Sequence, residues 1–303
     1  MTTVMAIPQK PQIKWHSIAL MGFMHVVAIG WAVKTFSWPA FWAFVVLAVV
    51  TGMLGVTLCY HRLLAHRSFS LPRPLEYLLA LFACMAFQNG PVKWVAVHRV
   101  HHAYSDRPQD PHSPTRGFWW AHIGWLLVND DFLDNWDRYA KWAPDLAKDP
   151  VHRFLNNTHG LYQFLLGGLL YLLGGWPFVV WGVFVRTVFV WHGTWLVNSA
   201  SHIWGYRTYD TGERSTNNWW VAALTFGEGW HNNHHAFLSS AAHGLRWWEV
   251  DVTYATIRLL NWLGLAKNVR VAKPAEQAPS VPLEDQPDWK ASLPQPTATG
   301  TAS

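Results

Sequence analysis

The sequence predicts an all-α integral membrane protein: four transmembrane helices capped by a cytoplasmic helical domain that carries a histidine-ligated di-metal site. Three observations predict it. Four apolar runs are each long enough to cross a bilayer, which takes about 20 residues. With four crossings, 21 of the 23 Lys and Arg residues fall on one side, the side that the positive-inside rule makes cytoplasmic. Nine of the 17 histidines cluster on that same side at ligand-like spacings.

The spans come in two pairs. Residues 17–36 carry one Lys, at position 34, and residues 38–59 carry no charge; Ser37-Trp38-Pro39 turns between them. Residues 154–200 are too long for one crossing, and the GGWP at 174–177 divides them into spans at 154–174 and 178–200. Both termini, residues 60–153 and residues 201–271 then share the cytoplasmic side. Residues 1–271 form the membrane domain. The apolar run 75–88 is short and reads as an interfacial or buried helix. Residues 247–265 mix charge and apolar residues at helical spacing and read as an amphipathic helix. From 272 to 303 the composition turns to Pro, Ala, Ser, Thr and Gln, which predicts a disordered tail.

Composition excludes other classes. Hydrophobic residues make up 51% and charged residues 14%, against about 25% charged in a soluble domain. Cys59 and Cys84 are the only cysteines, so a disulfide scaffold and a four-cysteine metal site are excluded. The net charge of +5 follows from topology and anionic headgroups; a nucleic-acid partner is not needed.

The histidines carry the chemistry. On a helix, positions i, i+3 and i+4 share a face. His98, His101 and His102 (HRVHH) are thus expected to point to one place, and so are His231, His234 and His235 (HNNHH). Asn198 and His202 are i, i+4, with Thr194 one turn back. His61 and His66 are five apart, so they should diverge and serve different ions. Imidazole suits Zn, Cu, Fe and Ni, and nine ligands exceed one ion's needs, so two ions is the simplest count. No HExxH or GxSxG occurs, which disfavours a zinc protease or a serine hydrolase. His112 and His122 are expected to orient ligands. A haem or metal-transport protein would place ligands at membrane depth; only His25, His159 and His192 fall there, with no visible pairing.

The text GVTLCYHRLLAHRSF (55–69), WVAVHRVHHAYSDRPQDPHSP (94–114), GFWWAHIGWLL (117–127), LVNSASHIWGYR (196–207) and GEGWHNNHHAF (227–237) resembles the membrane fatty acyl desaturases, stearoyl-type delta-9 branch, over about residues 15–270. The resemblance implies two non-haem iron ions on His61, His66, His98, His101, His102, His202, His231, His234 and His235, with Asn198 contributing through water. It implies O2-dependent formation of a cis double bond, at delta-9, in a saturated acyl chain. Gln88, Trp94 and Thr194 would lie along the acyl chain, and Val45 and Val49 at the tunnel end.

Where animal acyl-CoA members of that family carry an Arg-Asp pair, this chain has Ala96 and Val97 and resembles cyanobacterial and plant relatives. That favours a glycerolipid-bound acyl substrate over acyl-CoA, although Lys93, Arg99 and Arg116 remain as phosphate contacts. A hydroxylase with the same ligands is the alternative chemistry. No flavin, nicotinamide or haem domain is present, so electrons are expected from a separate ferredoxin or cytochrome b5-like donor.

Overall fold

The structure, a computed structural model, describes residues 12–273. It is all-helical, with no strand among the described residues. Three helical stretches are long and apolar enough to cross a membrane, with mean hydropathies of 1.3, 2.2 and 1.7.

The first, α1, is Trp15–Ala32. The second, α2, is Trp38–Ala65. Ser37 caps it by accepting from the Ala40 amide, and Pro39 sits in the first turn, where its missing N–H costs nothing. At 28 residues α2 exceeds one crossing, so its last turns carry His61 past the apolar layer. From Val49 onward α2 is wound as a π-helix, closing its backbone on i→i+5 bonds. Gly55 lets the next helix, α3 (Arg73–Cys84), approach closely: a Cβ there would lie 2.6 Å from the Ala83 nitrogen.

The third stretch, Leu161–His202, is folded on itself. Gly174 and Gly175 leave helical geometry, Gly175 at φ 64°, a conformation that glycine adopts without strain. The two arms, α7 (161–173) and α8 (176–199), then run antiparallel: Gln163 donates to Thr187 at 2.7 Å, and Gly182 lies against Leu170. Met24, Val27 and Ala28 of α1 pack with Leu166 and Leu170 of α7 and Phe184, Trp191 and Trp195 of α8. The outward faces stay apolar and bare; Ile29 is 76% exposed and Leu172 84%. In water such faces would be costly, and against lipid they are not.

The second lobe is built from α3, α4 (Pro91–Tyr104), α5 (Phe118–His122), α6 (Pro150–Thr158), α9 (Trp219–Leu224), α10 (His231–Ala236) and α11 (Val252–Trp262). Arg99 pins α4 to the end of α2: it donates to the Leu64 and Ala65 carbonyls and makes a bidentate pair with Asp145. Thr57 bonds Thr253 at 2.8 Å, tying α11 to α2 just before His61.

The boundaries correct the sequence reading in two places. A turn at His159 and Gly160 separates α6 from α7, so the third apolar helix starts at Leu161 rather than 154. The amphipathic helix is Val252–Trp262, shorter than 247–265; the Asp251 carboxylate accepts from the Tyr254 amide and sets its start. Of the tail expected at 272–303, residues from 274 on lie outside the described residues.

Candidate metal centre

Nine histidines meet where the end of α2, α4, the end of α8 and α10 come together, in a group of five and a group of four. In the first, Nε2 atoms face one another: His66 to His98 at 2.7 Å, His98 to His102 at 2.9 Å, His102 to His234 at 3.0 Å and His234 to His61 at 3.2 Å. In the second, the His231 Nε2 lies 3.1 Å from that of His202 and 3.0 Å from that of His235. His101 completes this group with a buried Nε2 that has no hydrogen-bond partner.

The far side of the rings explains the arrangement. The His61 Nδ1 lies 2.6 Å from Glu228, that of His101 2.9 Å from Asp110 and that of His202 3.2 Å from Asp106, while that of His235 is 3.5 Å from Glu213. A carboxylate accepts only, so the Nδ1 of His61, His101 and His202 donates outward and Nε2 is left facing the centre. Burial would raise the Glu228 carboxyl, but Arg62, His61 and His243 outweigh it and hold it well below the usual range. Burial, and then His101 and His112, act on Asp110 in the same opposed way, with the same outcome.

These contacts do not close as hydrogen bonds. A protonated ring nitrogen has no lone pair left to accept, yet the Nε2 atoms of His98, His102, His234 and His231 each face two others. Added protons do not resolve this. Burial, then mutual repulsion among the rings, pushes His66, His98, His102, His231, His234 and His235 well below their ordinary value, so they stay neutral. A cation at each focus satisfies every lone pair. Two imidazole nitrogens each about 2.1 Å from one ion, at right angles, sit about 3 Å apart, which is the spacing found. The donor set fits a transition metal.

Several expectations are corrected. His61 and His66 do not diverge; both belong to the five-histidine group. In a π-helix each amide bonds the carbonyl five residues back, so the turn is wider than in an α-helix and positions five apart fall near one face; the His66 amide donates to the His61 carbonyl at 3.1 Å. Neither triplet points to one place. His98 and His102, four apart, share a group while His101 joins the other; His231 and His235 share a group while His234 crosses over. His112 packs on His101 and stands 3.6 Å from Asp110, but His122 turns away, to Ser199 and His192. His25 and His192 are paired after all, nitrogen to nitrogen at 3.0 Å. Contact that close leaves no room for a haem iron between them. Arg99 is committed to Asp145, Lys93 lies 3.6 Å from Asp134 and Arg116 stacks over Trp120.

Two cavities reach the centre. The first, about 640 Å³ including its mouth, runs between α2, α8 and α9, lined by Gly52, Val56, Phe189, Val190 and Phe226, and ends against His61, His98, His101 and His231. The second lies between α1, α8 and the 124–127 turn, lined by Met21, Trp125, Leu126, Trp191 and Trp195. Trp94, His98, Thr194 and Asn198 face both. Gln88 lines the second, donating to Thr194 at 3.0 Å and accepting from Trp94 at 3.4 Å. Val45 and Val49 lie farther along α2, outside the lining of both cavities; Gly52 holds the end position instead.

Sequence reasoning missed Glu228, Asp110, Asp106, Glu213 and His243. Four of them, Asp106, Asp110, Glu228 and His243, stand within nine residues of a ligand motif, but their spacing does not name the partner.

The sequence is similar to those of known proteins. Residues 36–259 match the fatty acid desaturase family model. The chain is 53% identical to the sn-1 stearoyl-lipid 9-desaturase of Anabaena variabilis, over 88% of this chain and 97% of that one. It is 48% identical to the sn-2 palmitoyl-lipid 9-desaturase of Nostoc sp. (strain 36), over 88% and 94%. It is also 51% identical to an acyl-CoA 5-desaturase of Anemone leveillei, over 84% and 78%.

Proposed function

The chain belongs to the fatty acid desaturase family, and from that premise we propose that it uses O2 to introduce a cis double bond at delta-9 into a saturated acyl chain esterified in a glycerolipid. One observation carries the reading: nine histidines focus their Nε2 atoms where two largely apolar cavities meet.

In this reading His61, His66, His98, His102 and His234 hold one iron ion and His101, His202, His231 and His235 the other, with Asn198 reaching a metal through water. Iron with O2 supplies hydrogen removal from unactivated methylenes, which side chains alone do not. The protein does the rest. Glu228, Asp110 and Asp106 hold the Nδ1 protons and fix the ring orientations. Trp94, Thr194 and Gln88 place the methylenes beside the histidines, and the apolar linings exclude water. Two hydrogens leave the chain; with two electrons and two protons, one O2 becomes two waters. The electrons come from a separate acidic carrier, a ferredoxin or a cytochrome b5-like protein, docking on the basic cytoplasmic face.

The antiparallel arms α7 and α8 make four crossings with α1 and α2. The lobe, the metal centre and both termini then lie in the cytoplasm, in keeping with the distribution of Lys and Arg. Residues 1–271 act as one domain. Val97 lines the second cavity, an apolar side chain unsuited to a polyanionic CoA group, and this supports a lipid-bound substrate.

The test is expression in a host without desaturases, together with an electron donor, following labelled saturated chains. New cis-monoenes appearing first in intact glycerolipids, with delta-9 bonds, are expected. Monoenes appearing first as acyl-CoA would overturn the substrate assignment, and hydroxylated chains the reaction. Gly52→Leu is expected to shift products to shorter chains, because its side chain enters the cavity end, 3.2 Å from Val190. Val45→Trp is expected to leave the profile unchanged.

A further inference from the structure

Arg186 is fully buried within the apolar arm α8 and makes no ion pair among the described residues. A cation at that depth is costly, and a leucine or methionine would fill the space without the cost. What the guanidinium holds gives its use. Its Nε donates to its own helix at Gly182, 3.0 Å away. Its Nη2 donates to the Gln163 side chain of α7 at 2.8 Å. Its Nη1 donates to Thr51 of α2 and to the Met85 carbonyl.

Met85 opens a turn that is itself under strain. Phe87 has φ 60°, left-handed backbone that a bulky residue adopts only when its surroundings impose it, and Asn89, of a type that tolerates it, follows at φ 76°. Tyr60 and Trp94 reach the far end of the turn, at the Asn89 carbonyl and the Gln88 side chain, and α8 holds the rest of it. Arg186 takes the Met85 carbonyl, the Trp191 indole takes the Phe87 carbonyl at 3.0 Å, and Thr194 accepts from the Gln88 side chain. Gln88 lines the second cavity with Phe87 and Asn89 of the same turn, and it alone of the three bonds Trp94 and Thr194, the side chains that face both cavities.

We propose that Arg186 is a positioning residue: by fixing the 85–89 turn it fixes Gln88, and so decides which pair of methylenes rests beside the histidines. The position of the double bond therefore depends on a residue that touches neither the acyl chain nor the metal. This rests on the reading of the two cavities as the acyl path.

The test compares the full-length wild type with R186M, R186K and W191F in membranes supplied with saturated glycerolipid and an electron donor. Double-bond position is read by mass spectrometry and yield is normalised to metal-loaded protein. W191F removes one anchor of the turn and leaves every charge in place, but Trp191 also lines the second cavity, so if R186M fails to fold the decision rests on R186K, which keeps the charge, lies outside both cavity linings and loses the guanidinium fork. R186M and W191F are expected to divert about a tenth or more of the product to neighbouring positions, with R186K intermediate. A lower yield at an unchanged single position, in R186M where it folds and otherwise in R186K, would overturn the inference and leave the desaturase reading standing. No monoene from the wild type would instead remove the acyl-path reading, and this inference with it.

Discussion

The protein contains two sets of buried or half-buried histidines, and they are built on opposite principles. At the centre, nine rings turn their Nε2 atoms inward, and carboxylates hold the outer nitrogens of four of them. Between α1, α8 and α5, three rings link end to end: His25 to His192 at 3.0 Å, His192 to His122 at 3.0 Å, with the Met21 carbonyl at one end and the Ser199 hydroxyl at the other. Each contact there uses a different nitrogen, so donors and acceptors can alternate. At the centre one nitrogen serves two neighbours, and since it offers either one proton or one lone pair, no pattern of protons gives every contact a hydrogen bond of its own. The number of histidines does not make a metal site; the direction of their nitrogens, set by what lies behind them, does.

Breaking that comparison starts with the centre. His234→Ala removes a ring that faces two others and is expected to lower activity at least 100-fold, with loss of the metal held by the five-histidine group and retained membrane insertion. Activity assays with metal analysis check this; a substantially active variant would break the ligand assignment. Glu228→Gln tests the outer nitrogens. It keeps the shape but replaces the acceptor that holds the His61 proton, and outer-shell losses of this kind cost about 10–100-fold in metal affinity. Competition with a calibrated chelator measures that. His192→Leu probes the other set. It leaves His25 and His122 each without one partner and is expected to cost about 2 kcal/mol of stability, while metal content stays at the wild-type value. A metal loss equal to that of His234→Ala would erase the distinction between the two sets.

Much of this was legible in the residues, for physical reasons. Length and apolarity give the long helices, because the bilayer dictates both. The HRVHH and HNNHH spacings give ligand-bearing helices, because 3.6 residues make a turn. The same rule failed at His61 and His66, where α2 widens into a π-helix bonded five residues back. It failed again in dividing the triplets, because which ring joins which group depends on the angle at which α4 and α10 cross. Glu228 and Asp110 stayed hidden because a carboxylate reveals its partner only in three dimensions. The His25–His192 pair, 167 positions apart in sequence, has no local signature at all. At the cavity end, Gly52 rather than Val45 or Val49 follows from the packing of Val190 and Phe226 against α2.

The central claim is that the nine histidines form two metal sites in one protein. Metal analysis of purified wild type, His234→Ala and His231→Ala tests it most directly, combined with absorbance in the haem region. The account predicts two non-haem irons per wild-type chain, and about one in each variant, lost from the group that the substitution touches. One metal per wild-type chain, haem absorbance, or a full complement in either variant would contradict it.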